Sequence, residues 1–215
     1  MKVITNNTTD LFFLKEEIEK ISYKEFLNNP QKVDLVYFNG GEDVSPIMYG
    51  EKSLPITYNN LKRDILEYRL YNEAIRLKIP CLGLCRGSQF LTSVQSKGKL
   101  IQDVENHTIM SFHLIKLLNE DKHIEVTSTH HQMMYPFNTK HQLIAISAPR
   151  LSSYYLSGEN TKEVTEIIKK EGEPEIVYYP KTKCLGVQGH PEYITNYDHE
   201  FPKYVRKLIK NKLLS

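Results

Sequence analysis

The sequence predicts an α/β fold, with a mainly parallel central sheet and an antiparallel extension. Three observations predict it. Short apolar strands alternate with amphipathic helical stretches through the first half of the chain. Strand-like segments then cluster in the second half. No Pro-, Gly- or Ser-rich linker interrupts the 215 residues, so 1–215 reads as a single domain.

The elements follow in order. Residues 1–5 read as a first strand, and Asp10 as the cap of a helical stretch with Leu11, Leu14 and Ile18 on one face. Residues 33–38 are β-branched and aromatic and stop at Asn39-Gly40-Gly41, as a buried strand does where it enters a turn. Helical spacing runs over 60–78 through Leu61, Ile65, Leu66, Leu70 and Ala74, and Pro80 ends it. Residues 81–84 form a short apolar strand, and 88–95 resume as helix. Strands are expected at 123–128 and 142–148, and a helix at 161–170. A strand pair at 175–179 and 184–188 surrounds Pro180-Lys181-Thr182-Lys183. A basic amphipathic helix at 201–214 closes the chain, with Val205, Leu208 and Ile209 inward.

Composition narrows the function. Lys and Arg number 28 against 26 Asp and Glu, a net charge of +2, which gives no electrostatic case for nucleic acid or a membrane surface as partner. At 40% apolar and 25% charged residues, the chain falls outside the disordered class. No apolar run approaches transmembrane length. Polar Asn6 to Asp10 stand where a signal peptide needs its apolar core, so the expected location is the cytoplasm. Three cysteines make no disulfide framework and leave at least one thiol free.

One of those thiols stands apart. Gly83-Leu84-Cys85-Arg86-Gly87 joins a buried strand to a helix, with a glycine two residues to each side of the cysteine. Such a turn is sharp and crowded, so its flanks need residues without a β-carbon. It places Cys85 at the carboxyl edge of the sheet and at the positive end of a helix, where a thiolate is favoured. The Arg86 N–H points where an oxyanion would form. Redox proteins and chaperones also carry a cysteine on such a turn, and Cys81 reads as a plain buried cysteine of the strand.

Two further segments supply the missing chemistry. In His190-Pro191-Glu192 the proline is expected to hold the backbone extended, with imidazole and carboxylate on the same side. The carboxylate would fix the tautomer and leave the other nitrogen to serve a thiol. Asn39-Gly40-Gly41-Glu42-Asp43-Val44-Ser45-Pro46 follows a buried strand, and its glycines can turn an N–H into the site as a second oxyanion donor. Alone, each segment would pass for an ordinary turn.

Together and in this order, the three resemble the class I glutamine amidotransferase-like superfamily, and within it the γ-glutamyl hydrolase and γ-glutamyl-γ-aminobutyrate hydrolase branch. Gly83 to Gln89 is similar to that branch's nucleophile motif, and Gly40 to Pro46, followed by Tyr49-Gly50-Glu51, to its oxyanion loop. Arg63-Asp64 with Glu67, Gln102-Asp103 with His107, Val126 to Gln132, and Gln188 to Glu192 extend the similarity. The resemblance implies a three-layer, flavodoxin-like fold of the class I amidotransferase type, with helices on both faces of the sheet. It implies Cys85 as nucleophile, His190 as base and then acid, and Glu192 as the orienting group. Gly40, Gly41 and Arg86 would form the oxyanion hole. Gln89, Thr129 and His130 would hold the glutamyl head. The branch usually carries an aromatic residue at the position of Gly189 and asparagine at Thr92, so the leaving-group side is where this chain departs.

The expected activity is cleavage of a γ-glutamyl amide bond through a thioester, releasing L-glutamate without a cofactor. The conjugate would be of the γ-glutamyl-CDP-amidate type of capsule phosphoramidate pathways, which the absent aromatic at Gly189 favours, or γ-glutamyl-γ-aminobutyrate. The alternative is a glutaminase subunit feeding ammonia to a separate synthase. The partner is otherwise the small-molecule substrate, and the oligomeric state stays open, a homodimer included. His107, His113, His123, His130 and His131 lie near one another in sequence, but no Cys-x-x-Cys or His-Glu-x-x-His spacing supports a metal, and none is expected.

Overall fold

Strands of three or four residues, buried on both faces, form the centre of the molecule. The computed structural model describes residues 1–5, 11–108, 111–196 and 198–215. Along the chain it contains β1 (Lys2–Ile4), β2 (Glu19–Ile21), α1 (Tyr23–Asn28), β3 (Leu35–Phe38), α2 (Leu61–Arg76), β4 (Cys81–Leu84) and α3 (Arg86–Ser93). Then come β5 (Lys99–Ile101), β6 (Asp103–Val104), β7 (Ser111–Leu117), β8 (Lys122–Ser128), β9 (Met133–Tyr135), β10 (Gln142–Ser147) and β11 (Tyr155–Leu156). The chain closes with α4 (Thr161–Glu171), β12 (Pro174–Tyr179), β13 (Cys184–Val187) and α5 (Glu200–Leu208).

Among the described residues the main sheet has nine strands in the order β2-β1-β3-β4-β13-β12-β10-β7-β8. The first five run parallel to one another, and the last four extend the sheet by antiparallel pairing. The pleat sends alternate residues to opposite faces, which makes three layers. Val3, Leu35, Tyr37, Leu82 and Leu84 pack with Phe201, Val205 and Leu208 of α5. Ile4, Val36, Phe38 and Cys81 pack with Phe26 of α1, Leu70 and Ala74 of α2, and Phe90 and Leu91 of α3. The parallel arrangement with an antiparallel extension therefore agrees with the sequence reading. No helix of the described residues is long and apolar enough to cross a membrane.

Several elements differ from expectation. Asp10 lies outside the described residues, and the helix expected after it is a single 3-10 turn at Leu11–Leu14. The chain then runs into β2, whose Glu-Lys-Ile sequence is polar because it is the sheet's edge. On β7, Ile115 and Leu117 are buried while Phe112 and Leu114 are exposed, so its apolar residues show no alternation to read. The closing helix ends as a π-turn at Ile209–Leu213.

The β3–β4–β13 pairing sets the site. Phe38 lies opposite Gly83, and Val187 opposite Leu84. Strand, elbow and helix meet here with no spare volume: a Cβ on Gly83 would stand 2.3 Å from the Gly87 carbonyl oxygen, and one on Gly87 would stand 2.0 Å from the Phe38 oxygen. Gly87→Ala should therefore lower the unfolding free energy by about 1–3 kcal/mol through overpacking. Urea denaturation of the variant beside wild type checks this.

Candidate active site

β4 ends at Leu84, and Cys85 turns the chain into α3 with φ 49° and ψ −113°, a left-handed φ that a residue with a β-carbon adopts only under constraint. The constraint is local. The Cys85 N–H donates to the Val187 carbonyl at 2.8 Å, while its own carbonyl accepts the N–H groups of Ser88 and Gln89 and the Ser88 hydroxyl. The side chain is left at the positive end of α3, 6% exposed. Arg86 begins the helix, so its N–H has no carbonyl within that helix to bond.

The neighbouring strand delivers His190. β13 lies beside β4, and the chain leaving it is gripped by Thr127 of β8: the His190 N–H donates to Thr127 Oγ1 at 2.7 Å, and the Thr127 hydroxyl donates to the His190 carbonyl at 3.2 Å. His190 Nδ1 lies 2.7 Å from Glu192 Oε1. The segment is not extended, as the sequence reading supposed. Pro191 opens a 3-10 turn over Pro191–Tyr193, and that turn folds the carboxylate back under the ring. Tyr193 stacks on the imidazole, with centroids 4.2 Å apart and ring planes within 1°. Burial alone would lower the His190 pKa. Hydrogen bonds with Cys85 and Glu192, and their negative charges, outweigh it and hold the ring up to about 10.

The third segment reaches the same point. A Cβ on Gly40 would stand 2.9 Å from His190 Cε1 and 3.7 Å from Cys85 Cβ, so the Gly40 backbone lies against both side chains. Arg63 Nη2 donates to the carbonyls of Asn39 and Gly40 at 3.0 and 3.1 Å. In a trans peptide the N–H points opposite to the carbonyl, so the N–H groups of Gly40 and Gly41 are turned away from Arg63. Gly41 has φ +141°, and a Cβ there would strike the Arg63 guanidinium at 2.4 Å.

Buried charges fasten this loop to the elbow. Arg86 donates to Asp64 and Glu67, all three being almost wholly buried. Glu67 also takes Arg63 Nε at 2.9 Å, and Arg63 Nη1 donates to Glu42 at 2.7 Å. Asp64 accepts the Ser45 N–H at 3.1 Å. The sequence showed Arg63, Asp64 and Glu67 as a motif without a role; the i,i+4 spacing of Arg63 and Glu67 and the i,i+3 spacing of Asp64 and Glu67 were the available signal.

The residues expected to hold the glutamyl head are placed as follows. Gln89 Nε2 donates to the Gln132 carbonyl at 2.6 Å, and His130 Nδ1 lies 2.9 Å from that same oxygen. Thr129 lies half-buried on this loop. Gln132 in turn pairs its side-chain amide with the N–H and carbonyl of Val44 on the glycine loop. Gln132 and Thr127 therefore tie the wing to the site, a task beyond the sequence reading, which placed both only in a stretch resembling a substrate-binding loop. Gly189 departs from expectation: a Cβ there would stand 2.9 Å from the Thr127 oxygen and 3.0 Å from Phe201 Cζ. Phe201 crowds the space a larger residue would need, so the glycine opens no room. Away from Cys85, the structure brings together three side chains for which the sequence offered no metal spacing, His107, His113 and Glu175.

This architecture is that of class I glutamine amidotransferases. It aligns with the crystal structure of a glutamine amidotransferase from Thermotoga maritima at a TM-score of 0.56 and 20% identity, covering 99% of this chain and 87% of that one. Residues 14–192 match the Peptidase C26 family, and the chain belongs to it. Among curated relatives, protein NtpR of Enterococcus hirae is 28% identical over 178 residues, which cover 75% of this chain and 67% of that protein. The glutamine amidotransferase-like protein YvdE of Lactococcus lactis subsp. lactis is 28% identical over 188 residues, covering 83% and 74%.

Two measurements probe the site itself. ¹⁵N-histidine NMR should find the His190 ring still protonated at pH 8, with a midpoint that falls in Cys85→Ala and in Glu192→Gln. Glu67→Ala leaves buried Arg86 and half-buried Arg63 without their shared partner, and should cost about 3–5 kcal/mol in urea denaturation.

Proposed function

We propose that this protein is a cysteine hydrolase of γ-glutamyl amides that releases L-glutamate. Membership of Peptidase C26 supports amide-bond hydrolysis in general terms. The observation that carries the finer reading is the convergence of Cys85, the His190–Glu192 pair and the Gly40 backbone at one sheet edge.

The chemistry follows from that geometry. The Cys85 sulfur, as thiolate beside the His190 imidazolium, attacks the γ-carbonyl carbon. The oxygen becomes an oxyanion between the N–H of Arg86 and that of Gly41 or Gly40. His190 gives its proton to the leaving nitrogen, the C–N bond breaks, and a thioester remains. Water, deprotonated by His190, then adds to the thioester and frees glutamate. Glu192 keeps the ring oriented throughout. Gln89, Thr129 and His130 hold the glutamyl head. The rate should fall on the alkaline side as His190 loses the proton it gives the leaving group, with a limb near 10.

Tyr193 bears on the leaving group. It is 53% exposed and stacked on the imidazole, which supports an amine carrying a larger substituent, γ-glutamyl-CDP-amidate or γ-glutamyl-γ-aminobutyrate, over ammonia. The second reading, a glutaminase supplying a separate synthase, is favoured by the amidotransferase-like relative.

Incubation with γ-glutamyl-p-nitroanilide and with glutamine separates the two. Nitroaniline release without glutaminase activity is expected, and glutamine as the only substrate would turn the reading to the second. Cys85→Ala should abolish turnover while the fold survives, and an active variant would remove the mechanism. Glu192→Gln should lower kcat by roughly 10²–10⁴-fold and leave KM nearly unchanged, as loss of the orienting carboxylate does elsewhere.

A further inference from the structure

Behind the loop that carries Thr129 and His130 lies a second group of ionisable side chains that the proposed reaction does not use. One nitrogen each of His107 and His113 and one carboxylate oxygen of Glu175 lie within 4.8 Å of one another. His107 stands between β6 and β7, His113 on β7 and Glu175 on β12, so only the folded antiparallel wing brings them together. We propose that these three side chains bind a structural divalent transition-metal ion of the zinc class.

Geometry supports the assignment. His113 Nε2 lies 2.8 Å and His107 Nδ1 3.9 Å from Glu175 Oε1. Bonds of about 2.0–2.1 Å to a tetrahedral ion would space the donors about 3.3–3.4 Å apart, and the two distances bracket that value. The surroundings are those of ligand residues. The other nitrogen of His107, Nε2, faces Glu173 Oε2 across 3.4 Å, and the Ser147 hydroxyl donates to Glu175 at 2.7 Å. A carboxylate behind a ligating imidazole fixes its tautomer and orientation.

The two nitrogens nearest Glu175 are engaged within the protein, His113 Nε2 with Glu175 Oε1 at 2.8 Å and His107 Nδ1 with the Ser128 hydroxyl at 3.4 Å, so an ion would replace a proton between His113 and Glu175. Two imidazoles with one carboxylate suit zinc-like ions rather than magnesium or calcium, which take oxygen donors. The consequence is positional. The His107 carbonyl accepts the His130 N–H at 2.8 Å and the Ser128 hydroxyl at 2.9 Å, so an ion on His107 would fasten the base of the Thr129–His130 loop. The inference does not depend on which amide the enzyme cleaves.

The test uses the full chain as Cys85→Ala, which removes the Cys85–His190 pair as a competing site. Chelator-stripped protein is titrated with zinc against a chromophoric chelator, and separately with cobalt(II). Uptake of one zinc per chain is expected, with a rise in Tm. Cobalt should give the visible bands of a tetrahedral nitrogen and oxygen site, with no thiolate charge-transfer band. His113→Gln should weaken zinc binding at least 100-fold; Glu175→Gln serves if that variant does not fold. No zinc uptake and no cobalt bands would overturn the proposal, leaving a cluster satisfied by water or protons alone. A thiolate band, or binding unchanged in the variants, would overturn it equally.

Discussion

Glu67 holds the site together. Its carboxylate, on α2, takes Arg86 with one oxygen and Arg63 with the other. Arg86 directly follows Cys85, and Arg63 grips the carbonyls of Asn39 and Gly40. One buried carboxylate thus sets the distance between the elbow and the glycine loop. Charges so deeply buried persist only when paired, and Asp64, Glu42 and the loop carbonyls share the pairing, while Arg86 Nε has no hydrogen-bond partner among the described residues. The arrangement is stiff, and under the proposed reaction the backbone donors would not have to reorganise as charge develops on an oxyanion.

A second constraint is strand order. Cys85 directly follows β4 and His190 follows β13, and these are adjacent parallel strands, with Val187 opposite Leu84. Their carboxyl ends lie side by side, where open α/β sheets place their ligands. The antiparallel wing contributes by reaching back. Thr127 holds the His190 backbone, and Gln132 bonds to Val44.

What could be read from the sequence was whatever local sterics dictate. The glycines around Cys85 are needed because two backbones pass within contact of them, and that need appears as a spacing of two. His190 and Glu192 stood close enough in sequence to be paired, although the turn that pairs them is 3-10 rather than extended. The central strands were visible as apolar runs, and α2 by its 3.6-residue period. The polar edge strand β2 and the mixed strand β7 lacked a pattern. Nor could the sequence show that Phe201, on the closing helix, crowds the space beside Gly189. His107, His113 and Glu175 meet through three separate elements, which no spacing rule can anticipate.

The adjacency of β4 and β13 also bears on how the molecule is made. Cys85 and His190 are about a hundred residues apart in the chain, and most of the wing lies between them. Pairing across so long a loop is slow, because chain entropy is lost before contacts repay it. During synthesis the elbow leaves the ribosome well before the strand that buries it. For that interval Cys85 is a thiol without its histidine, open to oxidants and to pairing with Cys81 or Cys184 of a neighbouring chain. Cys85 acquires its histidine partner only as β13 docks and the central sheet closes over it.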